Sequence, residues 1–379
     1  MCIRDSNPAD GDWYLRSEAP VPPGCEVTHS CPPVDPPVVV VDPPVVVDPQ
    51  PTDVTPPVNV PVYRPEIGAY LGNQTAALGL FQHTLHDRLG EVDFDQRQRN
   101  GDDRRGAVWT RVVRNQFDAT TGAGQIALGT DSSLLQVGGE LGRWSDGDRR
   151  WQVGGMGAFG QADTHVGSDV TGYQAKGKVK AQLLGVYGTW YANASKPTGL
   201  YVDSWVQGGR FDNRVEGDTL ARESYDAKGW AASLEAGYAF ELGRGERSAL
   251  YIEPQAQVIV SDYRADDHRE ANGTRVKTEQ GGGVTTRLGA RAYTRPLTDA
   301  HNRVQPFVEA NWWHRGDTQA IALNDEVQGL DLSKDVYEVK VGAQAELGHG
   351  WTGWGHLGLQ TAAGDEHSVE GQLGVKYGW

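Results

Sequence analysis

The sequence lacks the features that would place it among helical membrane proteins or helical enzymes. None of its 379 residues belongs to an unbroken apolar run of about 18, the length at which a transmembrane helix becomes a candidate. Methionine is scarce, with 2 residues, whereas 49 residues are glycine and 12 are tryptophan. A transmembrane helix is therefore excluded, and the composition favours a tightly curved all-β wall.

Cysteine is absent after residue 31, as expected for a protein that crosses an oxidising compartment. Cys25 and Cys31 can close a small loop, which leaves Cys2 over. Metal binding is the weaker alternative, because among histidines His29 alone lies near. Residues 1–6 carry no basic-then-apolar export signal. We therefore expect this sequence to be a fragment without its true N-terminus.

The charge balance excludes one class of partner. The formal net charge is −15 and the mean hydropathy is −0.53. Such acidity argues against nucleic acid as a partner. The low mean hydropathy does not argue against a membrane barrel, because only alternate residues of a barrel strand face lipid.

A proline-rich segment, residues 19–63, separates a short N-terminal piece, residues 1–18, from the rest. Residues 20–65 hold 15 of the 20 prolines, interleaved with valine. Such a segment forms neither a helix nor a ladder and adopts an extended polyproline spacer. The alternative, a ligand for an SH3-type domain, lacks flanking basic residues. Residues 1–18 are too short to fold alone.

Residues 64–105 contain a predicted helix followed by a charged connection. The helix begins at Pro65 and ends before Gly90. Its 66–89 stretch rises about 36 Å at roughly 1.5 Å per residue, which suffices to cross a hydrocarbon layer of about 30 Å. Apolar residues recur at helical spacing, at Ile67, Leu71, Leu78, Phe81, Leu85 and Leu89. The opposite face is polar, with Asn73, Gln74, His83, His86, Asp87 and Arg88. A polar lumen suits this face; the alternative is a surface helix packed on a soluble domain.

From residue 106 to residue 379 the sequence alternates between apolar and polar residues. About twelve such segments start near residues 107, 132, 150, 177, 199, 229, 249, 284, 304, 336, 351 and 368. Apolar rows facing lipid and charged rows facing a lumen explain the alternation. Aromatic residues near segment ends fit interfacial girdles, at Trp190, Tyr191, Tyr238, Tyr293, Trp312, Trp351 and Trp379. The fold class predicted is an all-β membrane protein, a twelve-stranded antiparallel transmembrane β-barrel with an N-terminal α-helix in the lumen.

The last strand ends on an aromatic residue at the chain terminus. Leu373, Val375, Tyr377 and Trp379 point one way, and the residues between them point the other. The pattern resembles the assembly signal read by the machinery that inserts outer-membrane barrels, and the residues that carry it are Gln372, Gly374, Tyr377 and Trp379.

Residues 62–379 resemble the C-terminal translocator domain of monomeric (type Va) autotransporters, of the AIDA-type and pertactin-like kind. The resemblance rests on Val62 to Glu66, Leu85 to Glu91, Val108 to Arg111 and the closing strand. Gly11 to Ser17 looks like the last turn of such a family's passenger β-helix. The family implies a barrel in the bacterial outer membrane that exports an N-terminal passenger, an adhesin, and anchors it at the cell surface. Implied partners are outer-membrane lipid, the barrel-assembly machinery and the chain's own passenger.

No cofactor or metal is expected. The sequence contains no nucleophile elbow, His-Glu-x-x-His or paired-cysteine zinc pattern. Gly155 to Gly160 match a dinucleotide fingerprint, but they lie in an alternating strand, where the glycines relieve crowding instead. His83 and His86 share a helical turn but have no evident third ligand.

The charged residues predicted to face inwards are the candidate site. We expect them to solvate the lumen and to hold the helix, and plain solvation of the wall is the alternative. They are Arg111, Glu235, Glu253, Arg287, Arg291, Glu309 and Lys340. Some autotransporters cleave themselves when an Asn side chain attacks its own backbone carbonyl; here Asn73 would be that residue, with Glu235 or Glu309 polarising the bond. No other enzymatic activity is expected.

Two other functions remain open from the residues. One is an outer-membrane transport pore without a secretion role, which needs an open lumen. The other is a soluble β-rich carbohydrate-binding module.

Overall fold

The structure, a computed structural model, describes residues 2–4, 13–15, 62–91, 106–122, 124–193, 196–218, 220–297, 303–316, 319–330 and 332–379. It divides into residues 1–62 and 63–379. In the first unit, β1 (Cys2–Arg4) pairs antiparallel with β2 (Trp13–Leu15). The predicted Cys25–Cys31 loop, residues 19–61 of the predicted linker and residues 92–105 of the predicted connection lie outside the described residues.

Within the described part of the second unit, twelve antiparallel strands close into a barrel. These are β3 (Ala107–Thr121), β4 (Ile126–Asp146), β5 (Arg149–Ser168), β6 (Gln174–Tyr191), β7 (Gly199–Gly217), β8 (Glu223–Arg244), β9 (Ser248–Ala265), β12 (Gly282–Pro296), β13 (Arg303–Arg315), β16 (Asp335–Gly348), β17 (Trp351–Ala362) and β18 (His367–Gly378). A separate sheet in the connections comprises β10 (His268–Arg269), β11 (Arg275–Gln280), β14 (Ala320–Leu323) and β15 (Glu326–Gly329). The predicted barrel is confirmed.

The first and last barrel strands complete the closure. In the β18–β3 pair, Tyr377 lies opposite Val108 and His367 lies opposite Asp118. Two predicted strand starts, 132 and 229, fall six residues late, because β4 begins at 126 and β8 at 223. Both strands begin before the alternation from which they were predicted: β4 opens on the inward-facing Ile126 and Leu128, and the first six residues of β8, 223–228, are mostly polar.

The two ends of the barrel differ. The connections 266–281 and 316–334, which carry β10, β11, β14 and β15, lie at the end where Thr121 meets Ile126; this is the loop end. Short connections such as 147–148 and 349–350 lie at the opposite end, the turn end, where the backbone N–H of Trp379 donates to the carbonyl of Gly106 at 3.2 Å.

Two helices replace the single helix predicted over 66–89. They are α1 (Pro65–Gly79) and α2 (Leu85–Leu89). The predicted start at Pro65 and the end before Gly90 are confirmed, but the continuity is wrong. Thr84 caps α2: its hydroxyl accepts from the N–H of Asp87 at 3.1 Å, and the Asp87 carboxylate accepts from the N–H of Thr84 at 3.0 Å. This capping box starts a new helix and ends the old one.

Among the described residues, no helix combines the length and the apolar character needed to span a membrane.

Apolar side chains face outwards along the barrel strands. Leu184 and Leu373 are 75% and 73% exposed, whereas Gln372, the neighbour of Leu373, is 2% exposed. Two of the predicted girdle aromatics are wrong, because Tyr191 and Tyr293 are buried inside the barrel. Each occupies an inward position of its strand, so its ring packs on interior neighbours: the Tyr191 ring lies 4.4 Å from the Arg150 guanidinium carbon, and Tyr293 stacks on Tyr251.

The apolar face of the helical segment packs inside the barrel. Phe81 and Leu85 are fully buried there, and the Phe81 ring lies 5.8 Å from the ring of Phe211 in an edge arrangement. Their cluster continues through Val179 and Trp205 on the wall. Hydrophobic packing therefore fixes the segment to one side of the lumen.

Candidate functional site

The lumen is the candidate site, and α1 lies directly against its wall. A Cβ added to Gly72 would lie 2.7 Å from Cγ2 of Thr164 in β5, so the helix has no room for a side chain there. From the other side, a Cβ on Gly177 of β6 would lie 2.4 Å from Oδ1 of Asn73. Gly160, part of the apparent dinucleotide fingerprint, faces Leu80 in the same way, at 2.8 Å. Glycine therefore allows close approach of helix and wall.

At the loop end, the two long connections hold the start of α1. Arg64 donates two hydrogen bonds of 2.7 Å to the carboxylate of Glu270. The Tyr70 hydroxyl lies 3.1 Å from Nε2 of His268. Gln74 donates to Oε1 of Gln319 at 2.7 Å. These contacts join the helix start to both connections and so fix it at the loop end.

Two of the predicted inward acids contact α2. The backbone N–H of Leu85 donates to Oε2 of Glu235 at 3.0 Å. Nε2 of His86 lies 2.7 Å from Oε1 of Glu253. Both acids are almost fully buried. Glu235 thereby satisfies an N–H of the first turn of α2, which has no partner within the helix.

Two of the predicted inward bases also contact the helical segment. Nζ of Lys340 lies 3.1 Å from Oδ1 of Asp87. Nε of Arg291 donates to Oε1 of Glu91 at 2.7 Å, just beyond Gly90. Opposite charges thus meet in buried pairs between segment and wall, where removal of one partner leaves an uncompensated charge.

The other three predicted residues contact the wall. Arg287 lies 3.2 Å from Glu235 and 3.3 Å from Glu309. Glu309 also accepts from Nη1 of Arg291 at 2.9 Å. Through these contacts, Arg287 and Glu309 hold Glu235 and Arg291, the residues that contact the helical segment, in position. Arg111 bridges neighbouring strands, donating to Gln136 and Gln372 at 2.7 Å each.

The prediction missed the most deeply buried ion pair. Nη2 of Arg88 donates to Oδ1 of Asp203 at 2.6 Å, and both side chains have no solvent exposure. The guanidinium carbon of Arg88 lies 4.2 Å from the ring centroid of Tyr187. Asp203 shares its inward parity in β7 with Trp205, which stacks on His83 with ring centroids 4.5 Å apart. The alternation of β7, which places Asp203 on the inward face, was the sequence feature that could have identified this residue.

Wall amides satisfy the backbone carbonyls that the helix break leaves free. Gln207 donates to the carbonyl of Phe81 at 3.2 Å, and Gln257 donates to that of His83 at 3.0 Å. A buried carbonyl without a partner is costly. The break between α1 and α2 is therefore stabilised by the barrel as well as by the Thr84 capping box.

The predicted assembly residues divide between the lumen and the turn end. Gln372 donates to the carbonyl of Asp87 at 2.7 Å. Gly374 lies under Trp354, since a Cβ there would be 2.3 Å from the indole. Tyr377 and the exposed Trp379 have ring centroids 6.1 Å apart. The closing strand thus touches α2 on its inner side and carries an aromatic pair at the turn end.

The structure does not bring the self-cleavage candidates together. Asn73 donates to the carbonyl of Arg214 at 3.0 Å and to the hydroxyl of Tyr225 at 3.2 Å. Glu235 binds α2, and Glu309 binds Arg287 and Arg291, as described above.

His83 and His86 point to different partners, Trp205 and Glu253 respectively. In the part of the chain that the structure describes, no group of three or more His, Cys, Asp or Glu side chains is arranged to hold a metal ion.

The helix does not fill the lumen. A cavity of about 210 Å³ lies on the side of α1 away from β5 and β6. Thr75 of α1 lines it together with Ser132, Thr285 and Trp313 of the wall. Polar and apolar side chains both line the remaining space.

Comparisons with known proteins agree on one family. Residues 108–358 match the family model "Autotransporter beta-domain". The chain is 36% identical over 340 residues to the uncharacterized protein YdeU of Escherichia coli K12, covering 86% of this chain and 72% of YdeU. It is 28% identical to the autotransporter adhesin AIDA-I of E. coli, covering 83% of this chain but 25% of AIDA-I. The crystal structure of the AIDA-I transport unit superposes with a TM-score of 0.72 at 26% identity, covering 83% of this chain and 99% of that unit.

Proposed function

Because this chain belongs to the autotransporter beta-domain family, we propose that it exports an adhesin through the outer membrane and then retains residues 63–91 as a plug. The chain is an outer-membrane translocator domain of type V secretion, with its passenger at the cell surface. The adhesin assignment is supported by the likeness to AIDA-I, whose name describes an adhesin.

One observation carries the plug proposal. Residues 63–91 run through the lumen, from the contact of Arg64 with Glu270 at the loop end to the contact of Leu89 with Lys376 near the turn end. The passenger precedes this segment, so the loop end faces the cell exterior. The buried pairs around α2 then hold the segment after export and close most of the lumen.

Single-channel conductance of the purified chain in planar bilayers tests the plug. We expect small conductance for the full chain, because residues 63–91 occupy the lumen, and a large increase after deletion of residues 66–90. Equal conductance of the two proteins would favour a transport pore without a secretion role. Folding of both proteins is checked by the mobility difference between unboiled and boiled samples on a gel.

The passenger proposal is tested by display on cells. The chain is expressed together with its own passenger, which carries an epitope tag, behind an export signal. We expect antibody labelling of intact cells, release of the epitope by added protease, and binding of the cells to host-cell monolayers. Labelling without any gain in binding would remove the adhesin assignment and leave export intact.

We further propose that the barrel-assembly machinery reads the outer aromatics of the closing strand. Tyr377 and Trp379 are accessible at the turn end, while Gln372 is occupied by Arg111 and Asp87 inside. Tyr377→Ala should therefore reduce the amount of barrel in the outer membrane. Gln372→Ala should leave that amount closer to wild type but increase protease access to α2; equal assembly defects in both variants would contradict this division.

Self-cleavage at Asn73 stays a prediction. Sequencing the N-terminus of the surface-expressed protein decides it, since cleavage after Asn73 creates a new terminus at Gln74. A segment 66–90 that remains joined to the passenger would end the idea.

A further inference from the structure

Three basic side chains form a row on the outside of the barrel near the loop end. In the strand register, Arg210 of β7 lies opposite Lys228 of β8, and Lys228 lies opposite Arg264 of β9. All three are exposed. Directly opposite residues on one face have Cβ atoms about 4.5–5.5 Å apart. The three cations, here called the basic row, are therefore immediate neighbours.

The charge of the basic row is only partly compensated within the chain. Nε of Arg264 lies 3.1 Å from Oδ2 of Asp262. The ion pairs found among the described residues include neither Arg210 nor Lys228. Like charges placed directly opposite one another destabilise a strand pair. An anion bound between them would remove this repulsion.

Apolar surface borders the basic row on the side of the turn end. The next outward position after Lys228 is Trp230, which is 45% exposed, and Leu234 beyond it is 59% exposed. On β7, Val206 is 52% exposed. Tryptophan is enriched where a membrane protein meets the boundary between lipid chains and headgroups. The basic row therefore lies where the lipid-facing band ends.

Acidic residues lie on the other side of the basic row. Asp212 and Asp226 are opposite one another, one outward position nearer to the loop end, and both are exposed. On β7 and β8 the order along the wall is thus apolar, basic, acidic; on β9, Asp262 lies opposite Trp230 and pairs with Arg264. A ligand that matches this order has acyl chains on the apolar band and a phosphate at the basic row, and leaves the acids to solvent.

We propose that the basic row binds the phosphate groups of a membrane lipid in the leaflet at the loop end. Arg210 and Arg264 provide planar guanidinium groups that hydrogen-bond phosphate oxygens in pairs, and Lys228 provides a point charge between them. The lipid is the source of the phosphate because its chains continue onto exposed Val206, Trp230 and Leu234. This binding site is independent of the passenger and of the plug.

The test measures lipid adducts of the full chain in detergent micelles by native mass spectrometry. Short-chain phosphatidic acid is the probe, and phosphatidylcholine with the same chains is the neutral reference. The variant Arg210→Gln/Lys228→Gln/Arg264→Gln is compared with Arg149→Gln/Arg222→Gln/Lys334→Gln, which removes three exposed charges elsewhere. A further variant, Arg210→Lys/Arg264→Lys, keeps the charge of the basic row. Unboiled gel mobility shows that each variant is folded.

We expect wild type to prefer phosphatidic acid over phosphatidylcholine. The basic-row triple variant should bind phosphatidic acid roughly hundredfold more weakly, since each basic residue contributes about 1 kcal/mol near an anionic lipid surface. The control triple variant should stay close to wild type, and the Lys-for-Arg variant should retain most of the binding. Equal losses in both triple variants, or no preference in wild type, would overturn the site. Displacement of the lipid by millimolar inorganic phosphate would overturn the lipid as its ligand.

Discussion

At the scale of residues, buried ion pairs join the helical segment to the barrel wall. The Arg88–Asp203 pair has no solvent exposure and shares its surroundings with the ring of Tyr187. Pairs of this kind contribute little net stability relative to apolar substitutes, but loss of one partner is costly because the other charge stays buried. They therefore favour the one arrangement in which segment and wall match.

Arg88→Gln tests the importance of this pair. We expect a loss of about 3–5 kcal/mol in the free energy of unfolding, because Asp203 loses its counter-charge. The matched control is Arg222→Gln, which removes an arginine from the exposed pair with Glu216 and should cost about 0–1 kcal/mol. Urea unfolding in micelles, followed by tryptophan fluorescence, measures both. Similar losses of unfolding free energy in the two variants would show that Arg88 does not form a buried ion pair with Asp203.

At the scale of elements, the helical segment is shaped by the barrel more than by its own sequence. The apolar spacing through Phe81 and Leu85 continues across the break, which is why one helix was predicted. The Thr84 capping box was readable, but the donors that satisfy the carbonyls of the break, Gln207 and Gln257, come from distant strands. Local sequence carries no trace of such tertiary partners.

The close packing of α1 on β6 can be tested by adding a side chain at the contact. Gly177→Ala should displace α1, because its Cβ would lie 2.4 Å from Oδ1 of Asn73 and 2.9 Å from the carbonyl of Ala69. Gly208→Ala on β7 is the control, since a Cβ there meets nothing within 4 Å. Hydrogen exchange of the α1 amides should become faster in the first variant and stay unchanged in the second. Unchanged exchange in Gly177→Ala would contradict close packing of α1 on β6.

For the whole molecule, alternation in sequence was sufficient to predict strands with one apolar and one polar face. That the apolar faces point outwards to lipid was predicted from the aromatics near segment ends and from the resemblance to autotransporter translocators. Leu373 and Gln372 illustrate the alternation: a period of two places them on opposite faces wherever the strand begins. The same rule places Tyr191 and Tyr293 inside, where an aromatic near a strand end was mistaken for a girdle residue. Pairings between charges, such as Arg88 with Asp203, depend on strand register and helix rotation, which alternation does not specify.

A disulfide between α1 and the wall tests the central claim, that this helix lies inside the barrel. The ideal Cβ of Gly72 lies 3.4 Å from Cβ of Thr164, near the spacing of about 3.5–4.5 Å found in disulfides. In a background with Cys2, Cys25 and Cys31 replaced by serine, Gly72→Cys/Thr164→Cys is compared with Gly72→Cys/Thr164→Ala/His165→Cys. In this control, Thr164→Ala removes the atoms that would crowd a side chain at residue 72, and the second cysteine is exposed on the outer face.

Mass spectrometry of the folded, mildly oxidised protein in outer membranes then identifies the cross-link. We expect a disulfide between the two introduced cysteines in nearly all molecules of the first variant and no such bond in the second. Absence of the bond in the first variant, or equal bonding in both, would place α1 outside the barrel and contradict the plugged translocator.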